Sequence, residues 1–161
     1  MVEGSVNYDI RLAQKNLFKF KVLSAFDMQK KVLELTGQHK FDGFFSVAAV
    51  CDFRVKNRVM GKIKKDTNPE IILEKNPDIL FEVSHLKINR PLTVCGFAAE
   101  EAVNVETNGE KKFKNKACDI LFSNEMCFEV NETKGIIFTP QSRLKFAGSK
   151  KHLAEILINL L

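Results

Sequence analysis

The chain has 161 residues, enough for one sizeable core, and 45% of them are apolar, which excludes a disordered segment. Its 25 Lys and Arg against 20 Asp and Glu leave a net charge of +5, and no apolar run approaches the ~18 residues of a membrane span. Fourteen Phe against one Tyr and no Trp point to a core filled with Phe.

In chain order, Phe18, Phe20 and Val22 alternate with Lys19 and Lys21, the pattern of a half-buried strand. Ser24 offers an N-cap, with Asp27 three residues on, for a helix over residues 25–35 that Gly37 stops. Residues 43–50, GFFSVAAV, form a continuous apolar strand of the kind covered on both faces in a parallel sheet. Residues 52–65 read as a polar, basic connection, and 71–73 as a short strand. At Asn76-Pro77-Asp78 a helix begins: Asn caps, Pro takes the first turn, and Asp favours the positive end of the dipole. That helix is expected to run to about residue 87.

Residues 92–97 read as a second buried strand and 98–116 as helical at both ends but interrupted near Asn108-Gly109. A further strand is expected at 119–123, then short antiparallel strands at 127–130, 135–139 and 143–146. Ser149 caps a last amphipathic helix over 150–161. The expected fold is α/β: a Rossmann-like, mostly parallel sheet flanked by helices, with a small antiparallel C-terminal appendix, in a single nucleotide-binding domain over residues 1–161.

Residues 1–11 lack the apolar stretch of a signal peptide, so a cytoplasmic address is expected, with no membrane. Cys51, Cys95, Cys118 and Cys127 are widely spaced, and His39, His85 and His152 are scattered, so no metal site is expected. Two basic clusters, at 62–65 and 111–116, hold a single aromatic between them, Phe113, rather than the row of rings that base stacking needs. A small phosphate ligand therefore suits them better than nucleic acid.

In open α/β sheets ligands bind beyond the carboxyl ends of the strands. Four stretches place polar residues there. In Ala48-Ala49-Val50-Cys51-Asp52-Phe53-Arg54, small residues let a ligand approach the backbone and Asp52 can accept from ribose hydroxyls. Lys62-Ile63-Lys64-Lys65, after Gly61, can close over a triphosphate. In Gly96-Phe97-Ala98-Ala99-Glu100 a strand turns into a helix, and Phe97 can stack on a base or fill the core. Lys112 and Lys116, four apart, share a helical face ahead of Asp119-Ile120-Leu121-Phe122-Ser123-Asn124. Each stretch has a plainer alternative as solvated surface or core, and no Ser–His–Asp or Cys–His set can be assembled.

These stretches, in this order and together with Asn76-Pro77-Asp78-Ile79-Leu80, resemble the phosphopantothenoylcysteine synthetase (phosphopantothenate–cysteine ligase) family, often fused in bacteria to a flavin-dependent decarboxylase. The resemblance covers residues 24–124 and the final helix. It implies a ligase of coenzyme A biosynthesis that joins 4'-phosphopantothenate to cysteine through an acyl-nucleotidylate made from CTP (or ATP) with Mg²⁺. Carried over by position, Lys62 is the catalytic lysine and Asp52 holds the ribose. Pro77, Asp78, Ile79 and Leu80 pack around the base, Phe97 covers it, and Lys112 and Lys116 contact phosphates or pyrimidine. Ser46, Val47 and Ala48 line the pocket by backbone.

The resemblance also implies a homodimer with the site near the subunit interface. Cys51 stands where the family usually has Ala, Val55 where it has Pro, and Glu125 where it has Asp. The family's N-terminal Gly-rich strand–loop–helix has no counterpart among the eight unclustered Gly. The expectation is that another polypeptide supplies that half, with a phosphopantothenoylcysteine decarboxylase a further possible partner. The alternatives are a fragment, or a non-catalytic nucleotide- or protein-binding module that keeps the fold.

Overall fold

The computed structural model of the chain describes residues 1–4, 16–64, 68, 70–126 and 131–161. Its first half holds β1 (Val2–Glu3), β2 (Phe20–Lys21), α1 (Ala25–Gln38), β3 (Gly43–Ser46), β4 (Phe53–Val55), β5 (Leu73–Lys75) and α2 (Ile79–Ser84). Then come β6 (Thr93–Glu100), a 3-10 turn (Ala102–Asn104), α3 (Val105–Lys116), β7 (Ile120–Glu125), β8 (Glu132–Phe138), β9 (Arg143–Ser149) and α4 (Lys150–Asn159). The chain divides into two compact units, one of Met1–Val32 with Ala48–Asp78, the other of Leu33–Val47 with Ile79–Leu161.

The second unit contains a five-stranded sheet in the order β3-β6-β7-β8-β9. β3, β6 and β7 run parallel, and β8 and β9 continue the sheet antiparallel. The α/β class and the flanking helices are as expected. The antiparallel appendix is formed by β8 and β9, which extend the parallel strands at one edge of the same sheet.

Strand alternation sorts side chains between two faces. On one face Cys95, Ile120, Phe122, Ile137 and Phe146 meet Leu153 and Leu157 of α4. On the other, Ser123 donates to the Val105 carbonyl of α3 at 2.8 Å. There α3 lies so close that a Cβ on Gly109 would fall 2.6 Å from Phe138 Cε2 and 2.8 Å from Ser123 Cβ. Cys95 and Cys118 are core hydrophobes, since burial pushes their thiols up to about 12 and about 11.

The first unit holds two small pairings, β1 with β2 in parallel and β4 with β5 antiparallel. Arg54 ties the β4–β5 pair together through an ion pair with Glu74 at 2.8 Å and a bond to the Lys75 carbonyl at 2.6 Å.

Two of the three anticipated caps form. Ser24 Oγ accepts from the Asp27 amide at 3.1 Å while the Asp27 carboxylate accepts from the Ser24 amide at 3.1 Å, a reciprocal box at the start of α1. Ser149 Oγ accepts from the His152 amide at 3.1 Å and starts α4.

Several elements differ from expectation. β3 stops at Ser46, where its register with β6 ends, rather than running to Val50. β4 lies inside the stretch expected to be a plain connection, and β5 falls two residues later than anticipated. α2 spans only Ile79–Ser84, so Pro77 precedes the helix. Asn76, expected as its cap, sends its side-chain amide to the Cys51 carbonyl at 2.8 Å.

Ala98-Ala99-Glu100, expected to open a helix, completes β6 because each residue pairs with β7. α3 runs unbroken through Asn108-Gly109, the latter buried for close packing rather than placed to interrupt. β8 and β9 reach beyond the expected strands, and the strand expected at 127–130 lies outside the described residues.

Candidate functional site

The residues singled out from the sequence fall into two sets, one in each unit. In the first unit, Asp52 is exposed at the start of β4, and its carbonyl accepts the Asn76 amide at 2.8 Å. The cross-link of Asn76 to both Cys51 and Asp52 brings the Asp52 turn beside the segment leading to Pro77 and Asp78. The small residue Ala48 is also exposed, its carbonyl closing a turn to the Val50 amide at 2.9 Å. Lys62 is exposed and follows Gly61, whose φ of 113° is a backbone state that L side chains rarely adopt. That glycine sets the direction in which the lysine-bearing stretch leaves the turn. Lys65, the last of its cluster, lies outside the described residues.

In the second unit, Ser46 ends β3 opposite Gly96 of β6, and Val47 beyond it is 66% exposed. Ile79 and Leu80 are buried, and Leu80 packs over Gly96, its Cδ2 2.5 Å from where a Cβ would stand. Their side chains belong to the core, so a ligand could meet this part of α2 mainly through backbone. Phe97 is half-buried, packed against the cluster beneath α4 with its ring edge-on to Phe122 at 6.4 Å. Only its remaining exposed surface is available to a base.

Lys112 lies on the opposite face of the sheet from Phe97, on α3, with Lys116 one turn further at the helix end. The two lysines share a helical face as expected. Lys112 is not a freely solvated cation: its ammonium sits 2.6 Å from Glu100 Oε1.

Glu100, at the end of the 96–100 stretch, has no role that the sequence alone assigns. It ends β6, is only 8% exposed, and is the sole buried carboxylate among the described residues. Its Oε2 accepts from Asn108 Nδ2 at 2.8 Å. Oε1 faces the Lys112 ammonium across the ion pair and has no other partner among the described residues. Burial raises the carboxyl's pKa, but the bonds from Lys112 and Asn108 and the lysine's charge outweigh it and hold the group below its ordinary value. The available signal was its position: an acidic residue ending an apolar strand run.

A recess of about 450 Å³ opens at the start of α3, lined by Ala102, Val105, Glu106, Glu125, Lys134 and Lys145 among others. None of the residues expected to bind nucleotide lines it. The Glu125–Lys134 ion pair, at 2.9 Å, lies at this recess. Among the described residues no group of three or more His, Cys, Asp and Glu could hold a metal, and no helix is long and apolar enough to cross a membrane.

Comparison with known proteins gives this arrangement a context. The chain is 35% identical over 165 residues to the coenzyme A biosynthesis bifunctional protein CoaBC of Haemophilus influenzae, covering 99% of this chain but 40% of that protein. It is 38% identical over 117 residues to the CoaBC of Vibrio vulnificus, covering 71% of this chain and 28% of that one. It thus spans well under half the length of these relatives.

Among solved structures, it resembles the C-terminal domain of a CoaBC with a TM-score of 0.73 and 23% identity, over 99% of this chain and 70% of the other. The DNA/pantothenate metabolism flavoprotein from Streptococcus pneumoniae matches with a TM-score of 0.79 and 14% identity, over 98% and 77%. A Cab2 mutant in complex with phosphopantothenate-cysteine matches with a TM-score of 0.72 and 14% identity, over 90% and 51%. These likenesses establish a shared fold. The family described as DNA/pantothenate metabolism flavoprotein C-terminal domain matches residues 1–161, and the chain belongs to that family.

Proposed function

We propose that this chain supplies the nucleotide-handling part of a phosphopantothenate–cysteine ligase. The observation that carries the reading is a lysine, Lys112, held at the carboxyl end of the parallel strands, where open α/β sheets bind ligands. Family membership, relatives named for coenzyme A biosynthesis, and a fold neighbour holding phosphopantothenate-cysteine support it.

In this reading the carboxylate of 4'-phosphopantothenate attacks the α-phosphorus of CTP (or ATP), carried in with Mg²⁺, and the bond to pyrophosphate breaks. The amine of cysteine then attacks the acyl carbon, an amide forms, and nucleoside monophosphate and a proton leave. Lys62 offsets the charge that builds on the phosphoryl oxygens, a task that needs no tuned base. Asp52 accepts from the ribose hydroxyls. Lys112 and Lys116 contact phosphates or pyrimidine, while Ser46, Val47, Ala48 and the segment from Pro77 to Leu80 offer backbone to the nucleotide.

The reading also carries a cytoplasmic setting, supported by thiols at Cys51, Cys95 and Cys118 that form no disulfide. It carries a homodimer too, supported by the exposed apolar side chains of β4 and of residues 71–73.

A melting-temperature screen of CTP, ATP, GTP and UTP, each with magnesium chloride, tests the pocket. One of CTP and ATP should raise the melting temperature well above the other nucleotides. Lys62→Ala should remove pyrophosphate release, by roughly 10²–10³-fold or more, when 4'-phosphopantothenate, cysteine and the rest of a bifunctional relative are supplied. Melting indifferent to every nucleotide, with Lys62→Ala silent, would fit a non-catalytic module instead.

A further inference from the structure

A charged carboxylate is expensive to bury, and replacing a buried ion pair by apolar side chains often leaves stability unchanged or improved. The other carboxylate pairs of the second unit avoid that cost. Glu110, Glu125 and Asp119 keep roughly a third of their side chains exposed, whereas Glu100 keeps 10%. Stability alone therefore gives a poor account of Glu100.

Its setting is constrained on every side. The Glu100 carbonyl accepts the Met126 amide at 2.8 Å, which locks the backbone at the end of β6. Asn108, one turn before Lys112 on α3, fixes one carboxylate oxygen and so orients the other toward the lysine. The lysine's own side chain remains 46% exposed. An ammonium has three N–H donors, and a single carboxylate oxygen engages only part of that capacity.

We infer that Glu100 is a positioning residue, which holds the Lys112 ammonium in one orientation at the carboxyl end of β6 with donors left over for the phosphates of a nucleoside triphosphate. This rests on the assignment of Lys112 to phosphate made above. Without the carboxylate, a lysine on a four-carbon stem samples many rotamers and must give them up on binding. With it, much of that ordering is complete before the nucleotide arrives.

The test compares dissociation constants of the magnesium complexes of CTP and ATP with those of the corresponding monophosphates. Lys112→Ala and Glu100→Gln should each weaken triphosphate binding, by roughly tenfold, with a smaller effect on the monophosphate. The double variant should bind no more weakly than Lys112→Ala alone, because the carboxylate acts only through the lysine. Glu110→Gln, which breaks a solvent-facing ion pair on the same helix, should leave both constants unchanged. In the wild type the Lys112 ammonium should give a slowly exchanging proton–nitrogen NMR signal that Glu100→Gln abolishes, a readout that global stability does not move.

If Lys112→Ala leaves triphosphate binding intact, the phosphate assignment falls and this inference with it. If Lys112→Ala weakens binding but Glu100→Gln does not, the assignment stands and the positioning role is overturned. Should Glu100→Gln fail to fold, Asn108→Ala, which releases the second hold on the carboxylate, should weaken triphosphate binding several-fold. No change there overturns the inference as well.

Discussion

The two compact units use apolar residues in opposite ways. In the sheet-bearing unit, Phe122, Phe138, Leu121 and Ile137 are almost wholly buried and interlock between sheet and helices. In the other, Val22 and Val32 are the only buried apolar side chains among the described residues, while Phe53, Val55, Val59, Met60, Ile63, Ile71, Ile72 and Leu73 stand about half exposed or more. The first arrangement is that of a scaffold that must hold a few side chains still. The second leaves its apolar surface available, and its two-residue and three-residue strands bury little of their own. Two-stranded pairings of this size are marginal by themselves.

That contrast can be broken or sharpened by substitution. Phe122→Ala, at the centre of the cluster beneath α4, should cost about 3–5 kcal/mol of unfolding free energy in a denaturant titration; a loss under about 1 kcal/mol would deny that the sheet unit is close-packed. Ser149→Ala removes the cap of α4 and should cost about 1 kcal/mol, readable as a drop in melting temperature.

Glu110 gives a pH-dependent handle on the same unit. Hydrogen bonds from Arg143 and then Lys114 hold its carboxyl at about 2, down from 4.5. A depressed carboxyl stabilises the fold above its unfolded value, and that contribution fades as pH falls through the folded one. The melting-temperature gap between wild type and Glu110→Gln should therefore be widest above pH 4.5 and close toward pH 2, though solvent keeps it small. Ile71→Ser, in the other unit, should change unfolding free energy by less than about 0.5 kcal/mol. If the exposed apolar side chains serve a homodimer, the same variant should raise the dissociation constant measured by sedimentation.

Local chemistry made much of the fold legible. The Ser24 and Ser149 caps, the apolar runs of β6 and β7, and the amphipathic last helix are determined by residues close in sequence, and they form where expected. Non-local pairing decided the rest. Ala98 and Ala99 have good helix propensity, but the ladder with Ser123 and Asn124 keeps them in β6. Phe53-Arg54-Val55 looked like connection because its partner strand lies some twenty residues away. Gly109 looked like a helix break because a sequence does not show what a missing side chain makes room for.

The candidate site was legible as a set of residue types at strand ends. The sequence could not show which face each side chain takes, that Ile79 and Leu80 turn into the core, or that Lys112 has an acidic companion.

The close approach at Gly109 has a consequence for the lysines themselves. Lys112 and Lys116 ride on the helix that Gly109 seats against Phe138 and Ser123, three and seven residues downstream of that contact. A single methyl group at position 109 would work as a shim, lifting the rod off its bed and swinging both ammonium groups away together. The reach of the two cations is thus calibrated by an atom the chain omits.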